Sequence, residues 1–239
     1  MRITLTCVYC GADATTKDHV VPRCFLEKPF PPNLLTVPSC RKCNLGYSKD
    51  EEYFLAVMAQ TGSVPSLRKR VQKGGVVERM LERSHGLNKH FTDSTRIAER
   101  GNVLISPDLV RIANVTRKVA FGLYWHQYKP SKMPALNKFF PYEPFHNLDD
   151  GNPIVVLTHN DRFRPKRWKQ IQTLKVAGLG KVQVLDYMFV RDWTDFERLF
   201  CVLRFHETVW AAVRCPHPPH RTNSRSVPRL THAGQRELF

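Results

Sequence analysis

The chain has 239 residues, 42% of them apolar, with 37 lysines and arginines against 21 aspartates and glutamates and an isoelectric point near 9.8. Its size and apolar content are enough to bury a core and suggest two small domains, and with no run of eighteen apolar residues and no apolar leader a cytosolic (cytoplasmic) protein is expected, not a membrane protein. A formal net charge of +16 predicts a polyanionic partner held with steep salt dependence, against the plainer reading of a solvated basic face.

Residues 3–15 read as a short strand entering a cysteine knuckle, Cys7-Val8-Tyr9-Cys10, with Gly11 allowing the tight turn. A second knuckle follows at Cys40-Arg41-Lys42-Cys43. Thiolates two residues apart can both reach one ion at ~2.3 Å, and two such pairs fill a closed tetrahedral site, so Cys7, Cys10, Cys40 and Cys43 are expected to hold a structural zinc. Between the knuckles lie Asp18-His19-Val20-Val21-Pro22 and the stretch Pro29-Phe30-Pro31-Pro32-Asn33, which cannot be helical and is expected as an ordered loop or lid. The second knuckle runs straight into Asn44. A helix is predicted over Ser48 to Gln60, with Ser48 as N-cap, Asp50, Glu51 and Glu52 in the first turn and an apolar stripe of Phe54, Leu55 and Met58; Asn44 then sits just before it.

Residues 66–100 are rich in Arg68, Lys69, Arg70, Lys73, Arg79, Arg83, Lys89, Arg96 and Arg100 and are broken by Gly74-Gly75. They read as a basic helix, a glycine hinge and a second helix linking two domains, with phosphate contact and a solvated face equally open. Asp108 to Tyr128 is a long helical pattern with Leu109, Ile112, Val119, Phe121, Leu123 and Tyr124 on its apolar side, stopped by Pro130. Strand-like runs follow at 154–158, 182–190, 200–205 and 209–213, rich in Val, Leu, Phe and Tyr. The basic cluster Arg162, Arg164, Lys166, Arg167 and Lys169 around Trp168 is a candidate phosphate contact or an exposed loop. The four tryptophans, Trp125, Trp168, Trp193 and Trp210, read as packing residues, and Cys24, Cys201 and Cys215 as buried thiols. The fold class is α+β: an N-terminal zinc-stabilised unit over 1–60, a basic helical linker over 61–100, a helix with a small antiparallel sheet over 101–215, and a disordered tail over 216–239.

Asp18-His19 with Pro22, Asn33-Leu34, and Cys40-x-x-Cys43-Asn44 resemble the HNH endonucleases over about residues 5 to 56. The resemblance implies a ββα-metal fold and assigns Asn33 to fixing the loop and orienting His19, although the same residue serves equally as a turn asparagine after Pro32. The third motif position, a histidine in the family's name, is Asn44 here. Beyond residue 56 the chain is similar only to small bacterial proteins that begin with an HNH domain, and no activity is implied for that part.

Phosphodiester hydrolysis needs an activated water, charge stabilisation at phosphorus and help for the leaving oxygen. His19 is suited to general-base work near neutral pH. Asp18, one residue before it on a strand, points to the opposite side and is placed to hold a cation. With the amide oxygen of Asn44 it makes an oxygen-only site suited to Mg²⁺ or Mn²⁺. Arg41 and Lys49 are phosphate contacts by position. The expected function is a metal-dependent endonuclease nicking or cutting double-stranded DNA; the alternatives are a catalytically inactive zinc-stabilised nucleic-acid-binding module and a basic regulatory protein.

Overall fold

Residues 5–32, 34–60, 67–97, 103–130, 133–141, 169–176, 180–191, 199–206 and 209–216 are described by the computed structural model of the chain. Strands β1 (Thr16–His19) and β2 (Thr36–Ser39) pair antiparallel, Asp18 opposite Val37 and His19 opposite Thr36. The strand expected over residues 3–15 is not formed among those described. The first knuckle turns back on itself instead, with the Gly11 N–H donating to the Cys7 carbonyl at 2.8 Å, leaving only an isolated bridge between Thr6 and Asp13. Gly11 has φ 79°, a conformation glycine adopts without steric penalty.

The second knuckle opens α1 (Arg41–Gly46), capped by Cys40, whose Sγ accepts from the Cys43 N–H at 3.4 Å. One residue, Tyr47, separates it from α2 (Ser48–Gln60), the predicted helix. Two expectations change here. Asn44 does precede the predicted helix, inside the additional short helix α1, whereas Ser48, expected as an N-cap, donates its hydroxyl to the Leu45 carbonyl (2.9 Å) and so closes α1 as α2 begins. Nor is α2 striped: Tyr53 to Ala59 are all buried, as in a helix enclosed on every side.

The basic region forms α3 (Arg68–Val71), α4 (Val76–Arg83) and α5 (His85–Ser94), then a hairpin of β3 (Thr95–Ile97) and β4 (Val103–Ile105). The glycine break is sterically fixed, because a Cβ on Gly75 would sit 2.2 Å from the Arg70 carbonyl oxygen. Next comes α6 (Leu109–Tyr128), matching the predicted span. The Asp108 carboxylate caps it, accepting from the N–H groups of Val110 (3.0 Å) and Arg111 (3.3 Å), and Lys129 at φ 42° ends it before Pro130. Leu109, expected on the apolar side, is exposed, whereas Val115 to Val119 are buried apart from Arg117, and Ala120 to Tyr124 are buried without interruption. The cause is position: α6 lies against α2 and β2 and also against the sheet described next.

That sheet joins β5 (Phe140–Pro141), β6 (Lys169–Val176), β7 (Gly180–Arg191), β8 (Leu199–Phe205) and β9 (Val209–Cys215) in the antiparallel order β5-β9-β8-β7-β6. The runs at 182–190, 200–205 and 209–213 fall in β7, β8 and β9; β2, β3, β4, β5 and β6 were not anticipated, and the run at 154–158 lies outside the described residues. In β8 the alternating Leu199, Cys201, Leu203 and Phe205 are buried, the period-two signature of a strand with one face on a core. Phe25 from the β1–β2 connection, Phe54 from α2 and Phe205 from β8 meet edge to face at 5.3–5.8 Å between ring centres. One buried cluster therefore runs from Val20 to Cys215, across the boundary drawn at residue 60. Trp125 packs partly buried against it, and burial pushes up the Cys24, Cys201 and Cys215 thiols. Among the described residues no helix is long and apolar enough to cross a membrane. The proposed tail beyond residue 216, Trp168 and Trp193 lie outside the described residues.

Candidate metal centre and active site

The two knuckles converge. The Sγ atoms of Cys7, Cys10, Cys40 and Cys43 lie within 4.8 Å of one another, so the four cysteines could hold one metal ion such as zinc. The backbone favours the charge such a site needs. Although burial pushes the Cys7 thiol up, amides at Cys40, Cys10 and Tyr9 outweigh it and bring the thiol down to about 7. Cys43 moves the other way, raised by burial and by the thiols of Cys10, Cys40 and Cys7 around it. Sulfurs this close cannot all ionise without a cation among them, which is the condition a bound metal satisfies. The Val8 N–H donates to the Pro38 carbonyl at 3.0 Å, tying the first knuckle to β2.

From inside that knuckle Tyr9 reaches the candidate acid. Its hydroxyl donates to Asp18 Oδ2 at 2.8 Å, and its ring stacks on Phe121 at 5.4 Å and tilts against Tyr47 at 5.8 Å. Asp18, only 3% exposed, accepts at its other oxygen, Oδ1, from Lys118 Nζ at 2.9 Å. Lys118, 1% exposed on α6, also donates to Glu51 on α2. Burial raises the Glu51 carboxyl, the Lys118 ammonium opposes that rise, and Asp18 adds to it. The cation next to Asp18 is thus a lysine 100 residues away in sequence.

His19 sits on the opposite side of β1 from Asp18, half-buried, as strand alternation predicts. Burial and the nearby Arg23 guanidinium lower its imidazole below the ordinary value, Asp18 pulling weakly the other way, so it is neutral near pH 7. Arg23 itself is exposed and lies over the Phe30 ring at 4.5 Å. Asn44 donates its amide N–H to Thr16 Oγ1 (3.1 Å) and to the Lys17 carbonyl (3.3 Å), while Thr16 donates to the Ser39 carbonyl (2.8 Å). Thr16 and Asp18 share one face of β1, so α1 brings Asn44 to the side that carries Asp18, and the nitrogen's bonds to β1 leave the amide oxygen for other partners.

Helix α6 clamps this hairpin at successive turns. Lys118 holds Asp18, Gly122 lies so close to Val20 that a Cβ there would meet its Cγ2 at 2.8 Å, and His126 Nε2 lies 2.9 Å from the Thr36 carbonyl. One and two turns earlier, the Asn114 amide and Arg111 Nε donate to Asp50, both at 2.9 Å, and Arg111 also reaches the Lys49 carbonyl at 2.8 Å, fastening α6 to the start of α2.

Of the other expected site residues, Arg41, Lys49, Lys69 and Lys73 are exposed. Arg70 is not a phosphate contact: it is 4% exposed, donates to the Cys24 carbonyl at 2.6 Å and pairs with Glu27 at 3.6 Å, holding α3 to the loop after His19. The Arg68 side chain lies outside what is described, as do Asn33, Arg162, Arg164, Lys166 and Arg167, and Lys169 is placed only as the first residue of β6. Sequence reasoning missed Tyr9, Glu51 and Lys118. Lys118 had a signal in helical spacing: it falls three residues after Val115 and beside Val119, on the face that the apolar pattern buries. Comparisons with protein-family models, with curated proteins and with solved structures find no significant match to the chain.

Proposed function

We propose that the protein is a metal-dependent endonuclease of the HNH type that hydrolyses phosphodiester bonds of double-stranded DNA, its site braced by a four-cysteine zinc. The observation that supports this most is the arrangement around β1: Asp18 and His19 on opposite faces, with Asn44 brought by α1 to the Asp18 face. A carboxylate and an amide oxygen are the donor types a hard divalent ion takes, although Tyr9 and Lys118 occupy both Asp18 oxygens and the ion would have to displace one of them. Asp18 and Asn44 would hold Mg²⁺ or Mn²⁺, which when bound supplies charge stabilisation at the scissile phosphate and leaving oxygen. His19, neutral because burial and Arg23 disfavour its cation, accepts the proton of the attacking water. Exposed Lys17, Arg23, Arg41 and Lys49 supply positive charge for the DNA backbone.

One observation favours the second reading, a zinc-stabilised nucleic-acid-binding or regulatory module without activity: both oxygens of Asp18 are already hydrogen-bonded within the protein. Supercoiled plasmid with Mg²⁺ separates the two. The nuclease reading expects nicking by the wild type and a loss of roughly 10² to 10⁴ in rate in His19→Ala, the usual worth of a positioned base, with DNA affinity retained. Undiminished nicking by His19→Ala, or DNA binding with no nicking by the wild type, leaves the binding module.

A further inference from the structure

Each cysteine knuckle is joined to a tyrosine that reaches toward the buried charge on α6. Tyr9 stands between the two cysteines of the first knuckle; its hydroxyl donates to Asp18 Oδ2 at 2.8 Å and its ring stacks on Phe121 of α6 at 5.4 Å. Tyr47 directly follows α1, which the second knuckle opens, and its ring lies 5.8 Å from that of Tyr9 and 5.6 Å from the Lys118 ammonium. Lys118 closes the network by donating to Asp18 Oδ1 at 2.9 Å and to Glu51. One side chain, that of Tyr9, thus stands between four sulfurs lying within 4.8 Å of one another and an ion pair made by α6. The backbone hydrogen bonds of the knuckle stay within its own turn, from Cys7 to Ala12 and from Gly11 to Cys7, except for the Val8 N–H on the Pro38 carbonyl.

An ion shared by the four sulfurs ties the first knuckle to the second, and so fixes where the Tyr9 hydroxyl lies. Asp18 is 3% exposed, so an oxygen that lost Tyr9 would be left where water replaces it poorly. A hydrogen bond to a charged group corresponds to roughly tenfold or more in an equilibrium constant. Such coupling is reciprocal: the factor by which a bound ion strengthens the Tyr9–Asp18 bond is the factor by which that bond strengthens the ion's binding. We propose that Tyr9 is a positioning residue that joins the four-cysteine metal site to α6, making metal binding and the docking of α6 on the β1–β2 hairpin one cooperative event. This rests on the four cysteines being a zinc site and is independent of the nuclease reading.

The test is the zinc affinity of the full chain, measured by competition with a chromophoric chelator. Tyr9→Phe keeps the ring against Phe121 and Tyr47 and removes only the hydroxyl, and it is expected to bind zinc about tenfold more weakly than wild type. Tyr47→Phe, which removes a hydroxyl from the neighbouring ring and leaves the Tyr9–Asp18 bond in place, is expected to bind zinc as wild type does. Stripping zinc from wild type is expected to speed amide hydrogen exchange across residues 115–124 of α6, and this zinc dependence is expected to shrink in Tyr9→Phe. Wild-type zinc affinity in folded Tyr9→Phe overturns the proposal, as does an equal loss in Tyr47→Phe. If Tyr9→Phe does not fold, wild type decides, and α6 exchange that is the same with and without zinc overturns it. The proposal fails alone when wild type binds zinc and Tyr9→Phe binds it equally well; it falls together with the zinc site when wild type binds none.

Discussion

His19 illustrates how a single side chain acquires its chemistry from neighbours. A free imidazole is half protonated near pH 6.5, but partial burial and the Arg23 guanidinium both disfavour its cation here. The unprotonated form therefore persists to lower pH than in a free histidine, and on the proposed nuclease reading the acidic limb of a pH–rate profile for plasmid nicking is expected to have its midpoint below 6.5. Arg23→Ala removes one of the depressing influences and leaves burial and the Lys118 charge, so its limb should move up in pH while the plateau rate at pH 8 changes less. A limb that stays in place would mean that Arg23 does not act on His19. Lys118 and Tyr9 do the same for Asp18, fixing both oxygens of a carboxylate whose sequence context, a short strand before a histidine, marks its identity but not its partners.

At the scale of elements, α6 determines how the hairpin is held. Lys118, Gly122 and His126 recur every four residues, the spacing that puts side chains on one face of a helix, and all three meet the hairpin or the residue that follows β1. Gly122 is the tightest contact. Glycine within a helix costs about 1 kcal/mol relative to alanine, so on propensity alone Gly122→Ala stabilises. The added methyl would meet fully buried, β-branched Val20, which has little rotamer freedom, and overpacking of that kind costs typically ~1–3 kcal/mol. Denaturant unfolding is expected to show Gly122→Ala less stable than wild type by about 1 kcal/mol or more, with Val20→Ala in the same chain recovering part of the loss. A Gly122→Ala protein more stable than wild type would show that α6 and the hairpin have room between them.

At the scale of the whole molecule, three buried or half-buried histidines among the described residues contribute to the response to acid. His19, His126 and His206 are all lowered, each chiefly by burial; His206, at the β8–β9 turn, falls to about 3, the nearby Arg70 charge adding to the effect. A histidine that holds its proton less readily folded than unfolded leaves the unfolded chain binding more protons, so stability falls as pH drops below 6.5, and for His206 the loss continues down to about 3. A single fully coupled group accounts for about 1.4 kcal/mol per pH unit. Thermal melts between pH 7 and 4 are expected to give a shallower slope for His206→Asn, since asparagine accepts the left-handed φ of 47° at this position better than most residues. Equal slopes would remove His206 from the acid response.

The sequence by itself determined the short-range features. Cysteine spacing specified the four cysteines whose sulfurs converge, strand alternation put Asp18 and His19 on opposite faces, and residue pattern located α2 and α6 to within a residue at their ends. Each of these depends on residues a few positions apart, where geometry follows from chain period and ligand bond length. Only the tertiary structure decided what depends on distant segments. Asp18 and Lys118 are 100 positions apart, Lys118 and Glu51 67, and Arg70 and the Cys24 carbonyl 46. Nothing local distinguishes a lysine that will be buried against two carboxylates from one that reaches water, or an arginine that will hold a loop from one that meets phosphate. Packing makes that distinction, because a charge taken out of water must find its partner wherever the fold brings one.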